Sequence, residues 1–208
     1  MSLIHSSFPA PPVIYGRNEA IKEIIDHIGG KFRTLVILGV PGIGKTCVAS
    51  AVLYEPQIVE RFGIHRHWAD LGDVESLDDF RNVILQSLSC EAPVISDNGI
   101  STMSIRQDRY QPSRTQISFS TLGQPKVLPG LLVLNDFENV WNSNWKREAE
   151  DFLHELLNMP ELKILITMRG AMGLPQDWWR VEINPLSLRE AKQAPGRSHI
   201  GLAQFLGI

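Results

Sequence analysis

A glycine-rich segment, GVPGIGKT at residues 39–46, contains the residues best suited to chemistry. Glycines let the chain curl so that successive backbone N–H groups point inward and form a cradle for an anion. Lys45 adds a compact positive charge that can reach the β- and γ-phosphates of a nucleotide, and the Thr46 hydroxyl is a ligand for Mg²⁺. The segment therefore predicts a site for nucleotide phosphates.

The elements on either side of this segment are the ones that such a site requires. Residues 34–38 are a short apolar run, typical of a buried strand, and a helix is expected from about Gly44 to the turn before Pro56. The start of that helix would add its positive dipole end to the site. The residues here that we expect to bind nucleotide are Gly39, Gly42, Ile43, Gly44, Lys45, Thr46 and Cys47.

A second polar position follows the apolar run at residues 131–134. Nucleotide triphosphatases use an acid at this point on a neighbouring strand to hold the metal, but this chain has Asn135 and then Asp136. An asparagine oxygen can accept a hydrogen bond from a metal-bound water, yet it brings no negative charge. We therefore expect Thr46, Asn135 and Asp136 on the metal side, where either Asp136 reaches the metal or Mg²⁺ binding is weakened.

Asp136 could instead orient or activate the attacking water, as acids in this neighbourhood can. Glu138 is a second candidate for that role, although a solvated loop carboxylate is its simpler interpretation. Arg169 follows the predicted strand at residues 163–167 and lies beside the crevice where ligands bind in open α/β sheets. Contact with the γ-phosphate and a plain surface arginine are equally good interpretations. Asp136 and Arg169 are our candidate catalytic residues.

Short apolar runs alternate with helical patterns along the chain, which indicates an α/β fold. We predict a three-layer P-loop NTPase fold with a mostly parallel five-stranded sheet and helices on both faces. Ser76 and Asp79 have the spacing of a capping box, and residues 142–144 can cap the helix that follows them. The predicted strands span residues 34–38, 65–71, 131–134, 163–167 and 179–183.

The domain organisation follows from changes in composition. Residues 1–12 contain three prolines and are expected to be an extended N-terminal segment, followed by one NTPase domain at 13–193. Residues 93–129 are polar and lack any period, so we interpret them as a disordered insertion. Residues 194–208 are too short for another layer and are interpreted as a truncated tail.

Composition excludes several classes of function. The net charge of −3 argues against a nucleic-acid binder that works by bulk electrostatics. No run of about 18 apolar residues is present, so no membrane span is predicted. Cys47 and Cys90 do not form a C-x-x-C pair, and reduced thiols in a cytoplasmic protein fit them best. His65 and His67 share one strand face, but a packing role is favoured because spacing identifies no third metal ligand.

Several motifs in this order resemble the NB-ARC-type domain, the NTPase core of STAND proteins, the signal-transduction switches that include NOD-like receptors. They are residues 16–19 before a helix, the glycine-rich segment, residues 131–138 and residues 167–169. More narrowly, the chain is similar to STAND NTPases of mushroom-forming fungi, which share the RFG at residues 61–63. The resemblance covers roughly residues 12–193.

This resemblance implies roles and partners. Val13, Gly16 and Arg17 would line the adenine side, largely through the backbone, and Arg169 would be a sensor arginine. ATP or ADP would bind with Mg²⁺. ADP would hold the protein closed, and exchange for ATP would open it for self-association, with slow hydrolysis as a reset.

Two departures from the family pattern leave alternatives open. The family has Asp then Asn where this chain has Asn135 then Asp136, and this chain has no match to the helical lid and the winged-helix domain. A catalytically inactive nucleotide-binding or interaction module, or a truncated product of a larger receptor, are therefore alternatives to a switch with slow ATPase activity. A small-molecule kinase is less favoured, and a Ras-like GTPase less still, since no guanine-recognition motif follows.

Overall fold

The computed structural model describes residues 8–10, 13–89, 130–170 and 172–186. The predicted insertion, the predicted tail and Cys90 lie outside these residues. The described helices are α1 (Asn18–Gly29), α2 (Lys45–Tyr54), α3 (Pro56–Phe62), α4 (Leu77–Ser89), α5 (Glu138–Trp141) and α6 (Lys146–Leu157), and the strands are β1 (Thr34–Leu38), β2 (Arg66–Asp70), β3 (Gly130–Asn135), β4 (Leu162–Met168) and β5 (Trp179–Glu182).

The five strands form one parallel sheet in the order β2-β3-β4-β1-β5, which confirms the predicted α/β fold. Parallel strands buried on both faces are expected to be continuously apolar, and every residue of β1, β3 and β4 is buried. Because the strands are parallel, the segments that follow β1, β3 and β4 all begin at one edge of the sheet. We call this edge the carboxyl edge.

Alternate residues of each strand pack into two apolar clusters, one on each face of the sheet. Val36 and Leu132 point to the cluster that α4, α5 and α6 cover, whereas Leu35 and Val133 point to the cluster that α1, α2 and α3 cover. The sheet is therefore the middle of three layers, as predicted. The layers place the carboxyl edge beside the glycine-rich segment.

The observed helix ends agree with the prediction only in part. α3 follows α2 after one residue and has Pro56 in its first turn, a position where proline loses no helical hydrogen bond. Ser76 accepts a hydrogen bond from the Asp79 N–H, so the predicted cap of α4 forms. The cap predicted from residues 142–144 is wrong, because Trp145 precedes α6 without a side-chain cap and Asn142 ends α5 instead.

Candidate functional site

Three glycines of the glycine-rich segment are required by its shape. Gly42 and Gly44 have φ of +75° and +98°, a left-handed backbone that side chains rarely adopt. A Cβ at Gly39 would lie 2.9 Å from the carbonyl oxygen of Ile183 and 2.9 Å from the side chain of Ile43. Gly44 then leads directly into α2, so the loop curls at the N-terminus of a helix, where anions bind well.

Lys45 is buried under this loop, with 6% of its surface exposed. Its Nζ donates to the carbonyl oxygens of Gly39 at 2.9 Å and Val40 at 3.2 Å. Burial lowers the pKa of Lys45, while the carboxylates of Glu138 and Asp136 act in the opposite direction. Phosphate oxygens are stronger partners for an ammonium group than these neutral carbonyls, so the lysine is positioned to exchange one for the other.

Asn135 is the centre of a hydrogen-bond network at the end of β3. Its Oδ1 accepts from the hydroxyls of Thr46 and Thr167, each at 2.9 Å. Its Nδ2 lies 3.2 Å from Asp136 Oδ2 and 3.4 Å from Asp70 Oδ1. The side chain is almost completely buried, and its amide satisfies two hydroxyls and two carboxylates at once.

This network gives a physical reason for asparagine at position 135. An aspartate would still accept from the Thr46 and Thr167 hydroxyls, but its second oxygen would face two carboxylates instead of donating to them. Like charges at such distances repel strongly. The negative charge that position 135 lacks is present on Asp136 and Asp70, one on each side of the amide.

Asp136 is held by its backbone at the turn after β3. Its φ of +56° is an uncommon left-handed conformation for a residue other than glycine, although Asp adopts it more readily than most residues. Its N–H donates to Thr167 Oγ1 at 3.0 Å. Asp70 was not singled out by the sequence, yet it ends β2 directly opposite Asn135 in the sheet register. The rule that parallel strands end at one edge was a usable signal for it.

The side chains around Thr46 suit Mg²⁺. The Thr46 hydroxyl, the Asn135 amide oxygen and the carboxylates of Asp136 and Asp70 are all hard oxygen donors, the type that this ion prefers. Within the described residues, no three His, Cys, Asp or Glu side chains are grouped tightly enough to hold a metal alone. This agrees with the way Mg²⁺ is usually bound, by few protein groups together with water and substrate phosphates.

The interpretation of Glu138 as a solvated carboxylate is wrong. Only 13% of its side chain is exposed, and its Oε1 lies 2.8 Å from Nε of Arg169, which is 64% exposed. Both residues line an open cleft of about 530 Å³, with Asp136 and Trp141 among its other walls. The reason is the first turn of α5, which begins at Glu138 and brings the side chain back over the carboxyl edge.

The N-terminal residues of the predicted adenine side have different environments. Val13 is exposed, and Gly16 has a φ of +64°. The Arg17 side chain donates to the carbonyl oxygens of Asn184 at 2.5 Å and Ile43 at 3.2 Å. Arg17 therefore ties the glycine-rich segment to the chain that leaves β5, a contact that the sequence did not reveal. Cys47 lies in α2 and is half-buried.

His65 and His67 lie next to each other, and His67 contacts α4. Their ring centroids are 6.5 Å apart, and Nδ1 of His67 is 2.9 Å from the carbonyl oxygen of Ser87. This fits the packing role favoured from the sequence. None of the described helices is both long and apolar enough to cross a bilayer.

Several solved structures share the fold. A Cdc6p from Pyrobaculum aerophilum has a TM-score of 0.57 at 15% identity over 97% of this chain and 52% of its own. The Hsp104-ADP complex of S. cerevisiae gives 0.53 at 17% identity, covering 88% of this chain and 24% of that one. A STAND protein with a tetratricopeptide repeat sensor from Pyrococcus horikoshii gives a TM-score of 0.52 at 17% identity, covering 95% of this chain and 28% of that one.

The chain thus spans between a quarter and about half of the length of these structural neighbours. No curated protein sequence matches it. Residues 10–173, which include α1 to α6 and the segments that follow β1, β3 and β4, match the family described as Novel STAND NTPase 1. This match agrees with the glycine-rich segment and with the hydrogen-bond network around Asn135. The chain belongs to this family of STAND NTPases.

Proposed function

We propose that this chain is the nucleotide-binding switch domain of a STAND NTPase, with ATP and ADP as its ligands. The observation that carries the proposal is the direct hydrogen bond between Thr46 of the phosphate loop and Asn135 at the end of β3. It joins the phosphate-binding and metal-binding halves of one site. Lys45 lies beside it, buried and hydrogen-bonded to carbonyls that phosphate can replace.

Each predicted residue has a role in this proposal. The backbone around Gly39, Gly42 and Gly44 and the N–H groups that begin α2 would hold the phosphates, together with Lys45. Thr46, Asn135 and Asp136 would hold Mg²⁺, which neutralises phosphate charge when it is bound. Val13, Gly16 and Arg17 would form the adenine side, Ile43 and Cys47 would complete the phosphate loop, and Arg169 would contact the γ-phosphate.

The finer proposal is an NB-ARC-type signalling switch in the cytoplasm, as in NOD-like receptors and the similar fungal proteins. ADP would maintain a closed state, and ATP would favour self-association in the full-length context. Hydrolysis would be slow and would depend on Mg²⁺, with Asp136 and Arg169 at the reacting phosphate. The family match and the P. horikoshii STAND protein support this proposal. The net charge of −3 gives no reason to add a nucleic-acid partner.

A catalytically inactive nucleotide-binding module is the alternative, because Asn135 stands where a metal-binding acid is usual. Calorimetric titration with ATP and ADP, with and without Mg²⁺, tests binding, and release of labelled phosphate tests turnover. Mg²⁺-dependent turnover that disappears in Lys45→Met would rule out the inactive module. Binding of neither nucleotide would overturn the proposed function itself.

The variant Asn135→Asp tests the metal side separately. It adds a third carboxylate beside Asp136 and Asp70, so the nucleotide-free protein should lose stability and Mg²⁺ should restore it. We expect its melting temperature to depend more steeply on Mg²⁺ than that of the wild type. An Mg²⁺ response identical to the wild type would show that position 135 does not face the metal.

A further inference from the structure

The side-chain amide of Asn135 has two chemically different ends, and its neighbours fix which end faces the glycine-rich segment. Its Oδ1 accepts hydrogen bonds from the hydroxyls of Thr46 and Thr167. Its Nδ2 donates towards the carboxylates of Asp136 and Asp70. The acid that is usual at this position has two equivalent oxygens and needs no such orientation. Asparagine at position 135 therefore creates a requirement that an aspartate would not have.

The orientation of this amide determines which partners the Thr46 hydroxyl can have. A hydroxyl has one proton to donate and two lone pairs that accept. Because Thr46 donates its proton to Asn135 Oδ1 at 2.9 Å, both lone pairs of its oxygen stay available to a metal ion. If the amide turned over, Nδ2 would donate to Thr46 Oγ1 and occupy one of those lone pairs. Binding of Mg²⁺ at Thr46 thus depends on the direction of this hydrogen bond.

Thr167 favours the observed orientation on the oxygen side of the amide. It is fully buried, and its Oγ1 already accepts the N–H of Asp136 at 3.0 Å. Its own proton needs an acceptor as well, and Asn135 Oδ1 at 2.9 Å is that acceptor. A buried hydroxyl whose partner is taken away costs free energy, so turning the amide over is unfavourable on this side.

Asp70 favours the same orientation on the nitrogen side. It is the last residue of β2 and lies opposite Asn135 in the sheet register. Its Oδ1 is 3.4 Å from Asn135 Nδ2 and also accepts the N–H of Gly72 at 3.3 Å. The carbonyl of Gly72 in turn accepts from Asn139 of α5 at 2.6 Å, which ties this turn to the site. Since a carboxylate can only accept, an amide oxygen turned towards Asp70 would face a negative charge without a donor.

We propose that Asp70 is a positioning residue for the metal side of the nucleotide site. By accepting from Asn135 Nδ2, it keeps the amide oxygen towards Thr46, and Thr46 keeps its lone pairs for Mg²⁺. Asp136 is the nearer acceptor, at 3.2 Å, but the proposed function assigns it to the metal, which leaves Asp70 to hold the amide. This inference rests on the proposed function and adds to it a residue from β2, a strand with no part in the glycine-rich segment or in β3.

The variants Asp70→Ala and Asp70→Asn separate orientation from charge. Alanine removes the acceptor, so ADP with Mg²⁺ should bind about two- to tenfold more weakly, the range that one hydrogen bond contributes. Asparagine at position 70 keeps an acceptor oxygen, so its affinity for ADP with Mg²⁺ should equal that of the wild type. Without Mg²⁺, all three proteins should bind ADP equally, which also shows that the variants are folded. Calorimetric Kd values, with Mg²⁺ and with a chelator, measure these differences.

Two results would overturn the positioning role. If Asp70→Asn loses as much affinity as Asp70→Ala, the negative charge matters and the acceptor does not. If Asp70→Ala weakens ADP binding equally with and without Mg²⁺, the effect is a general one on the fold. Asp73→Ala is the matched control, because it removes an exposed carboxylate just beyond Gly72 that makes no described contact with Asn135. It should bind ADP with Mg²⁺ as the wild type does.

A double-mutant cycle with Asn135→Asp should reverse the sign of the effect. A carboxylate at position 135 presents an oxygen whichever way it turns, and Asp70 then repels it instead of accepting from it. In the nucleotide-free protein, Asp70→Ala should therefore lower the melting temperature of the wild type and raise that of Asn135→Asp. A shift of the same sign in both backgrounds would show that Asp70 does not act through the amide.

Failure of the proposed function gives a different result from failure of the positioning role. If the wild type binds neither ATP nor ADP, the proposed function fails and the role of Asp70 fails with it. If the wild type binds ADP but Mg²⁺ leaves its affinity unchanged, nucleotide binding stands and the positioning role is wrong. If Mg²⁺ strengthens binding in the wild type and in Asp70→Asn but less in Asp70→Ala, both are supported.

Discussion

Two buried lysines at opposite edges of the sheet have the same type of hydrogen-bond partner but different charged neighbours. Lys45 lies at the carboxyl edge with 6% of its surface exposed, and Lys163 lies at the opposite edge with 4% exposed. Each Nζ donates to two main-chain carbonyls, Lys45 to Gly39 and Val40 and Lys163 to Gly30 and Phe32. Burial is the largest cause of a lowered pKa in both.

Their charged neighbours differ. The carboxylates of Glu138 and Asp136 oppose the lowering of the Lys45 pKa, whereas the guanidinium groups of Arg61 and Arg33 lower the pKa of Lys163 further. An anionic phosphate at Lys45 would share its site with acids, and a bound metal ion would help to balance that charge. Near Lys163 the cationic side chains already donate hydrogen bonds to main-chain carbonyls. Arg33 alone donates to the carbonyl oxygens of Leu162, Leu157 and Met159.

The comparison shows that a buried lysine bonded to carbonyls is not by itself a ligand site. Lys45 is bonded to carbonyls of a loop in which Val40 is exposed, and we propose that phosphate oxygens replace these carbonyls. Lys163 joins the segment after α1 to β4, and its hydrogen bonds are shorter, at 2.7 Å each. We therefore propose that the first lysine binds phosphate and that the second contributes to stability.

The largest expected effect is on nucleotide affinity in Lys45→Met. Loss of the charge that faces the phosphates should weaken ATP and ADP binding by about 10- to 150-fold, since a hydrogen bond to a charged group contributes roughly 1.5–3 kcal/mol. Isothermal titration calorimetry measures this directly. Lys163→Met is the matched control, and equal loss of affinity in both variants would contradict the comparison.

The next effect is on folding stability in Lys163→Met. Removing the ammonium group leaves the carbonyls of Gly30 and Phe32 without their donor, which should lower the free energy of unfolding by about 1–3 kcal/mol. Urea denaturation of the nucleotide-free protein checks the value. The free energy of unfolding should fall less in Lys45→Met, because the carbonyls that lose their donor, those of Gly39 and Val40, lie in an open loop. A larger loss in Lys45→Met would reverse the assignment.

The difference between the two lysines also shows what sequence can predict. The glycine-rich segment at residues 39–46 is a contiguous motif, so its position between β1 and α2 could be predicted. Asn135, Asp136 and Arg169 could be placed at the same edge because apolar runs precede them and parallel strands end together. No contiguous pattern surrounds Lys163, which appears in the sequence only as the polar first residue of an apolar run.

The contacts and burial that the sequence did not reveal depend on the register of neighbouring strands or on packing between elements. Asp70 meets Asn135 only through the register of β2 with β3, and Arg17 meets Ile43 only after α1 packs beside the loop. The burial of Glu138 depends on the short helix α5, which is too short to have a recognisable period. Tertiary contacts, rather than local propensity, set these positions.

The smallest expected effect is on the pH dependence of stability. Because the pKa of Lys163 is lowered in the folded state, the unfolded chain holds more protons in the window between that lowered pKa and the ordinary value of 10.5. Stability contributed by this group must then rise with pH across the window, and the penalty of burying the charge is fully present below it. The wild type should therefore gain stability relative to Lys163→Met as the pH rises towards 10.5, which urea midpoints at matched pH values would show. A difference that is constant with pH would mean that Lys163 titrates alike in both states, and the two lysines would then differ in their partners but not in the cost of their burial.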